Sequence, residues 1–581
     1  MRKGLSLIAL AMCCCRGVVS GELPDEHIVF RDDFGSQENW GKILAYKGLV
    51  KLEFGSVSDG FTGLCIHGAT SHCDTAWYVE TKKLALPDAS KSFRISFRTD
   101  AMRHIVAEAD QDNQFYPKAT WYGADGDVVK VEGLAFCVPA GFSEAKFTGP
   151  VPENAKSVSI RIGFDRPDMC HDFKKGPAAG ASFRIGKFVF AVSASEGPAQ
   201  TIYDYRRLPL NVPKTTLRDD GITLVDGKPF FPIGIYGLAK QERNGYNWDN
   251  MFRELGEIGL NFGLSYAERH SSELMRSAER NGFKLFVHAK MPDYQFWEDA
   301  RHPAVLAWYI GDDTSTHISP EELLGYHTAI KLADPNRITS QADHEWSYAP
   351  TIGRNTLYVN AADNFQPELY PIRYNNAKEM SNCVAEVVRD MRGCFNDIKR
   401  YGDGKPKSVW PIVQYFRGWG WKRFPSEQEL LAMSFASLTE GAHGIIWYTY
   451  ANSYDSKNKR WNQGPTASPE HWAVFGKVTK WISSLAPVLV ERTGVQPDLP
   501  EILEGPKVDP FGQHPISFLL KEHNSVRYLL TVNTTLANVK ARFRISGSSA
   551  KVQKESRILP VRNGILCDEW KPFDVHVYEI R

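Results

Sequence analysis

Apolar residues recur along this chain with a period that changes twice. From about residue 25 to 200 the period is two. Phe93, Ile95 and Phe97 alternate with Arg94, Ser96 and Arg98, and Val158, Ile160, Ile162 and Phe164 alternate with small or charged residues. Such alternation marks half-buried antiparallel strands and predicts a β-sandwich over 21–205. Past 220 the rhythm becomes strand and helix in turn. Apolar runs at 230–236, 261–266, 284–289, 305–310, 337–342, 356–361, 409–416 and 444–450 predict eight strands. Helical spacing separates them, in Trp248, Phe252, Leu255 and Ile258 and over 272–280, 320–332, 378–401 and 427–438. Eight strands with intervening helices are the content of a (β/α)8 barrel, placed here at 220–487. Alternation returns from 488 to 581, as in Val539-Lys540-Ala541-Arg542-Phe543-Arg544-Ile545, and predicts a second, smaller β-sandwich. The fold class is therefore multidomain, a TIM barrel flanked by N-terminal and C-terminal β-sandwiches.

Composition agrees with a chain of several domains, since single cores rarely grow beyond about 250–300 residues. Its formal net charge is +1, so no basic excess points to nucleic acid. Met1-Arg2-Lys3, the apolar run 5–15 and Val18-Val19-Ser20 before Gly21 read as a signal peptide over 1–20. The implied location is secreted, periplasmic or at the cell surface, with lipidation at Cys13, Cys14 or Cys15 as the alternative fate of the leader. No later segment has the roughly 20 apolar residues that span a bilayer. Cleavage leaves Cys65, Cys73, Cys137, Cys170, Cys383, Cys394 and Cys567, an odd set without CxxC spacing. That excludes a thiolate metal site and a disulfide scaffold, while leaving Cys65 with Cys73, or Cys137 with Cys170, as pairings that export would allow. Glu268 and His270 lack a third ligand at a sensible spacing, and nothing calls for a cofactor.

The run 305–310, bounded by Pro303 and Gly311, reads as a buried strand that delivers Asp312 and Asp313 to its C-terminal end. Barrel enzymes keep their chemistry at that end. Adjacent carboxylates repel, which favours a proton on one of them and suits a general acid. The plainer reading is that both cap the helix that follows. In the first sandwich, Trp77, Tyr78, Trp121 and Tyr122 either stack on sugar or fill the core. Neighbours on a strand face opposite ways, so at least one of each pair is core.

Several short stretches, in order and spacing, resemble the clan A (β/α)8 glycoside hydrolases, the β-galactosidase and endoglycanase type. They are Leu224-Val225-Asp226-Gly227-Lys228-Pro229-Phe230-Phe231-Pro232-Ile233-Gly234, Gly259-Leu260-Asn261-Phe262, His302-Pro303-Ala304 with Trp308-Tyr309, and Gly441-Ala442-His443-Gly444-Ile445-Ile446. The resemblance implies a hydrolase acting on an oligosaccharide or polysaccharide. It departs at both catalytic positions. Where the clan has Asp-Glu-Pro on strand four this chain has Asp312-Asp313-Thr314, and where it has a nucleophilic Glu on strand seven this chain has Gln414. Two mechanisms remain. A second carboxylate comes from Glu345 or Asp363, about 5–5.5 Å from Asp313 in a retaining enzyme and about 6.5–9.5 Å in an inverting one. Alternatively a 2-acetamido group of the substrate attacks, as in certain barrel hexosaminidases, with Asp312 orienting it and Asp313 protonating the leaving oxygen. Tyr236, Tyr266, His288, Trp346, Tyr415, Trp419, Trp421 and Trp447 are candidates to line the mouth, and Gln414, Asn360, His344 and Asp363 to bind hydroxyls. Glu440 reads as a helix-end residue. The rival from another class is a non-catalytic glycan-binding protein on a degenerate barrel.

Overall fold

The computed structural model describes residues 23, 25–45, 51–58, 61–67, 77–99, 118–133, 144–164, 182–196, 212–238, 247–265, 272–289, 296, 299–318, 320–343, 358–373, 383–450, 452–455 and 459–581. The proposed leader and Cys73, Cys137 and Cys170 fall outside them. The chain forms two compact units, Met1–Pro209 with Thr316–Ala329, and Leu210–Ser315 with Ile330–Arg581.

In the first unit two six-stranded antiparallel sheets enclose one core. Ser92–Thr99 lies in one sheet and Ser157–Phe164 in the other, and Phe93, Ile95, Phe97, Val158, Ile160 and Ile162 are buried together with Trp121. Tyr78 lies 4.1 Å beneath the Arg161 guanidinium and Tyr122 3.7 Å beneath Lys83 Nζ; the side chain of Trp77 is outside the described set. Glu321 is fully buried in this unit, with Lys118 Nζ at 2.7 Å and Arg161 at 3.5 Å. Burial works to raise its pKa, and the two cations overcome that and hold it low.

The second unit is built on a closed barrel of eight parallel strands. They are Ile233–Tyr236, Phe262–Leu264, Lys284–His288, Val305–Gly311, Ile338–Asp343, Asn364–Leu369, the split strand Ser408–Val409 and Ile412–Gln414, and Ile445–Tyr448. Strand four is buried at every position, as its unbroken apolar run requires. Strand six corrects the prediction. Residues 358–361 of the predicted run form a turn, in which the Tyr358 carbonyl accepts from the Ala361 N–H at 2.9 Å, and Tyr358 and Val359 are buried there.

Strand one begins at Ile233 because Lys228–Phe230 belongs to a separate sheet with Thr215–Leu217 and Thr223–Val225. Asp226 and Gly227 turn it with φ of 49° and 76°, the left-handed pair a tight hairpin needs. Leu217, Val225 and Phe230 pack on the barrel core, and Thr215 donates to Asn336 ahead of strand five. The sheet thus closes the N-terminal end of the barrel and leaves the other end for chemistry.

Helices Trp248–Glu257, Ser272–Arg280, Pro320–Ala333, Ala385–Tyr401 and Glu427–Thr439 follow the predicted spacing, and Pro469–Leu489 adds one more. The C-terminal residues form a three-stranded and a five-stranded antiparallel sheet around Phe543, Leu566, Trp570 and Tyr578. Glu427–Thr439 is buried at ten of its thirteen residues, because it lies between the barrel and this sandwich. No described helix is long and apolar enough to cross a membrane.

Candidate active site

The site begins with a polar floor inside the barrel. Tyr236 of strand one, Tyr309 of strand four and Gln366 of strand six point inward; the Tyr236 hydroxyl lies 3.3 Å from that of Tyr309 and donates to Gln366 Oε1. Gln366 in turn donates to Ser340, whose hydroxyl reaches Asn364 Oδ1 at 2.6 Å. Above the floor the Tyr309 hydroxyl donates to Asp312 Oδ1 at 2.5 Å, and the His288 ring stands edge-on to Tyr309 at 4.9 Å.

Strand four ends in a register shift after Tyr309, and Asp313 holds a φ of 44°. A bulge of this kind re-aims side chains at a strand end, and Asp is among the few residues that tolerate left-handed backbone. The segment that follows is fixed from strand five. Asp343, fully buried, accepts from the Ser315 N–H at 3.0 Å, the Ser315 hydroxyl at 2.7 Å and the Thr314 hydroxyl at 2.9 Å. Asp343 therefore supplies the helix-capping carboxylate that the plainer reading assigned to Asp312 and Asp313.

A third carboxylate joins them from strand six. Glu368 lies two residues beyond Gln366, so alternation puts it on the same inward face, one step nearer the mouth. The apolar pattern does not reveal it, because the run 356–361 stands in for strand six and Asn364, Gln366 and Glu368 are polar. Two phenols register all three carboxylates, and a third registers Glu368 and Asp313. Burial raises the pKa of Tyr236, and Asp312, Glu368 and Asp313 raise it further. Burial likewise raises Tyr448, with Glu368, Asp312 and Asp313 adding to it, and raises Tyr370, with Glu368 the foremost charge. The tyrosines therefore stay neutral beside the three carboxyl groups.

An aromatic rim stands beside them. The Phe416 ring lies 5.1 Å from Tyr370, 5.3 Å from Tyr448, 5.4 Å from Trp419 and 5.4 Å from Trp421. Trp421 Nε1 donates to the Tyr370 carbonyl at 2.9 Å, and the Trp419 N–H to Asn462 Oδ1 at 2.9 Å. Gly418 is required here, since its φ is 116° and a Cβ would fall 2.4 Å from Asn462 Oδ1. Asp312, Asp313, Glu368, His288, Tyr370, Trp419, Trp421 and Tyr448 are all half-buried, each with surface left for a ligand.

Other candidates lie elsewhere. Tyr415 stacks on Phe475 at 5.7 Å, and Trp447 donates to Ser434 at 3.3 Å; both face the helices, one residue out of phase with the inward Phe416 and Tyr448. The Gln414 amide is committed at both ends to the Ile372 backbone, at 2.9 Å each, rather than to a hydroxyl. Asp363 precedes strand six, accepts from the Thr339 N–H at 3.0 Å and pairs with Lys331, and Asn360 bonds Tyr401 and Asp403, so both occupy the closed end of the barrel. Glu440 ends its helix against Arg392 at 2.7 Å. Tyr266, His344, Glu345 and Trp346 lie outside the described residues. Among the described residues no group of three His, Cys, Asp or Glu is arranged to hold a metal ion.

No family model matches the sequence, and no curated protein matches it. Solved structures do. A GH2 β-galacturonidase from Eisenbergiella tayi shares 9% identity over 79% of this chain and 98% of its own, at a TM-score of 0.35. An α-amylase from Geobacillus thermoleovorans shares 10% over 60% and 98%, at 0.41. A glycoside hydrolase family 5 protein from Bacteroides vulgatus shares 12% over 63% and 92%, also at 0.41. Likenesses of this size carry no argument for chemistry, which rests on the geometry above.

Proposed function

We propose that this protein is a glycoside hydrolase in which Asp313 is the general acid/base and Glu368 the second carboxylate. The carrying observation is the placement of Asp312 and Asp313 at the end of strand four and of Glu368 on the inward face of strand six, all three acting on Tyr236 and Tyr448, at the open end of the barrel and beside an aromatic rim. In this reading Asp313 protonates the glycosidic oxygen as the bond to the anomeric carbon breaks. Glu368 either attacks that carbon, giving a glycosyl-enzyme that water opens, or deprotonates the attacking water; its distance from Asp313 in the complex selects between them. Asp312, held by the Tyr309 hydroxyl, orients the substrate. The leader would carry the chain out of the cell, to an extracellular glycan.

A second reading draws on that same Tyr309 bond. A fixed Asp312 next to Asp313 also suits a substrate whose own 2-acetamido group is the nucleophile.

Hydrolysis of aryl glycosides with and without a 2-acetamido group, by the wild type, Asp313→Asn and Glu368→Gln, tests both. Under the first reading each variant loses about 10³-fold in kcat/KM on plain glycosides, roughly 4 kcal/mol of transition-state stabilisation. Activity confined to acetamido sugars, lost in Asp313→Asn and kept in Glu368→Gln, selects the second. Silence from the wild type on both aryl panels and on polysaccharides leaves a glycan-binding protein.

A further inference from the structure

The two most exposed aromatic rings among the described residues stand opposite each other. Tyr454 is 54% exposed and Trp461 56%, against 37% for Tyr401, the next. They are directly paired across the hairpin Ser453–Asp455/Arg460–Asn462, just after strand eight, with ring centroids 5.4 Å apart. Apolar rings held in water cost free energy that folding alone does not recover.

Their hairpin is firmly mounted. The Arg417 N–H donates to the Gln463 carbonyl at 3.0 Å and the Gln463 N–H returns to the Arg417 carbonyl at 2.8 Å. Asn462, buried, holds the Trp419 N–H, while Trp461, one residue earlier, faces the opposite way and outward. Asn452 is bonded to Thr466 and to Gly464 at 3.0 and 2.9 Å. The backbone that carries the rings is thus held at both ends of the hairpin, and the rings contact each other, which limits the ordering cost of binding.

Size decides the kind of ligand. Two rings of about 150–250 Å² each, half exposed, offer about 200 Å². A stable protein interface needs about 800 Å² per partner. Stacking on the flat face of a sugar needs no more than a ring or two. Continuity supplies the other argument: the hairpin is bonded to the Trp419 loop, Trp419 lies 5.2 Å from Tyr448, and Tyr448 is one of the phenols that register the three carboxylates.

We propose that Tyr454 and Trp461 form a distal stacking subsite for a glycan chain that runs from the carboxylates past Trp419 and over the hairpin. The substrate class is therefore a polysaccharide or long oligosaccharide rather than a disaccharide. The inference rests on the glycan reading of the site.

Native electrophoresis of the full chain through gels containing carboxymethylcellulose, arabinoxylan, galactomannan, polygalacturonate or glycol chitin tests it. The expected result is retardation of the wild type by at least one polymer. Tyr454→Ala/Trp461→Ala should weaken that retardation at least tenfold, and Trp461→Phe should retain most of it. No retardation of the wild type by any polymer, or equal retardation of the double variant, overturns the subsite. Aryl glycoside turnover by the same wild-type preparation separates the two proposals. Turnover with retardation indifferent to the substitutions removes only the subsite, and retardation lost in the double variant without any turnover keeps the subsite and removes the hydrolase.

Discussion

Tyr309 does two things at once: its ring supports His288, and its hydroxyl holds Asp312. A hydroxyl donating to a carboxylate favours the charged form. Tyr309→Phe keeps the ring and removes the donor, so we expect kcat to fall about tenfold, roughly 1.4 kcal/mol. The acid limb of the pH–rate profile should move to higher pH, because the carboxylate has lost a partner that stabilised its charge. An unmoved limb would mean the hydroxyl serves packing alone. At this scale the sequence was informative where a residue's type and place in an element leave little choice. Asp312 and Asp313 follow an unbroken apolar run, and Trp419 and Trp421 are set in a glycine-rich loop. Tyr415 and Trp447 were misread for the opposite reason. Adjacent residues on a strand face opposite sides, and nothing local tells Trp447 from Tyr448 in phase.

Strand six is the element that the pattern concealed. In a closed barrel its inward face is the wall of the site, so Asn364, Gln366 and Glu368 are polar where a strand normally announces itself by apolar residues. Pro367, which cannot donate to the ladder, hides it further. Burial of Tyr358 and Val359 in the preceding turn then mimicked a strand and carried the prediction to the closed end. Helix Glu427–Thr439 is legible from the spacing of its apolar residues, and local chemistry fixes its start. The Ser426 hydroxyl accepts from the Glu429 N–H at 3.2 Å, and Glu429 returns to the Ser426 N–H at 2.8 Å. Glu429 also takes Arg423 on both oxygens, at 2.6 and 2.7 Å, two residues beyond Trp421. Ser426→Ala should cost about 1 kcal/mol, the worth of an N-cap. Glu429→Ala should cost more, about 2 kcal/mol, since it also strands a partly buried guanidinium. Urea denaturation of both variants checks the order, and equal losses would contradict it.

Across the second unit, His443 marks where the barrel, the closing sheet and the C-terminal sandwich meet. Its Nδ1 accepts from the Val409 N–H at 3.1 Å, and burial, aided by Lys521 and Arg218 against Asp220, lowers its pKa to about 4. An unfolded histidine titrates near 6.5. Between those values the unfolded chain binds the proton and the native one does not, so this contribution is whole above about 6.5 and is lost as pH falls toward 4. His443→Gln keeps an acceptor and removes the titration. The wild type should therefore lose about 2 kcal/mol more than the variant between pH 7 and 4, after discounting for a half-buried ring; parallel Tm curves would exclude the effect. The (β/α)8 repeat and the two alternating regions were visible at this scale because period survives without knowledge of contacts, whereas the grouping of Thr316–Ala329 with the N-terminal sandwich was not. Helix Glu427–Thr439 keeps little surface for water: Thr439 bonds Ser517 at 2.6 Å, and in the neighbouring helix Trp481 bonds Gln553 at 3.0 Å. A gene fragment ending after the barrel would leave that helix's apolar flank bare and invite aggregation. The barrel and the C-terminal sandwich are thus joined as one piece, and a cut between them falls across a shared core rather than a linker.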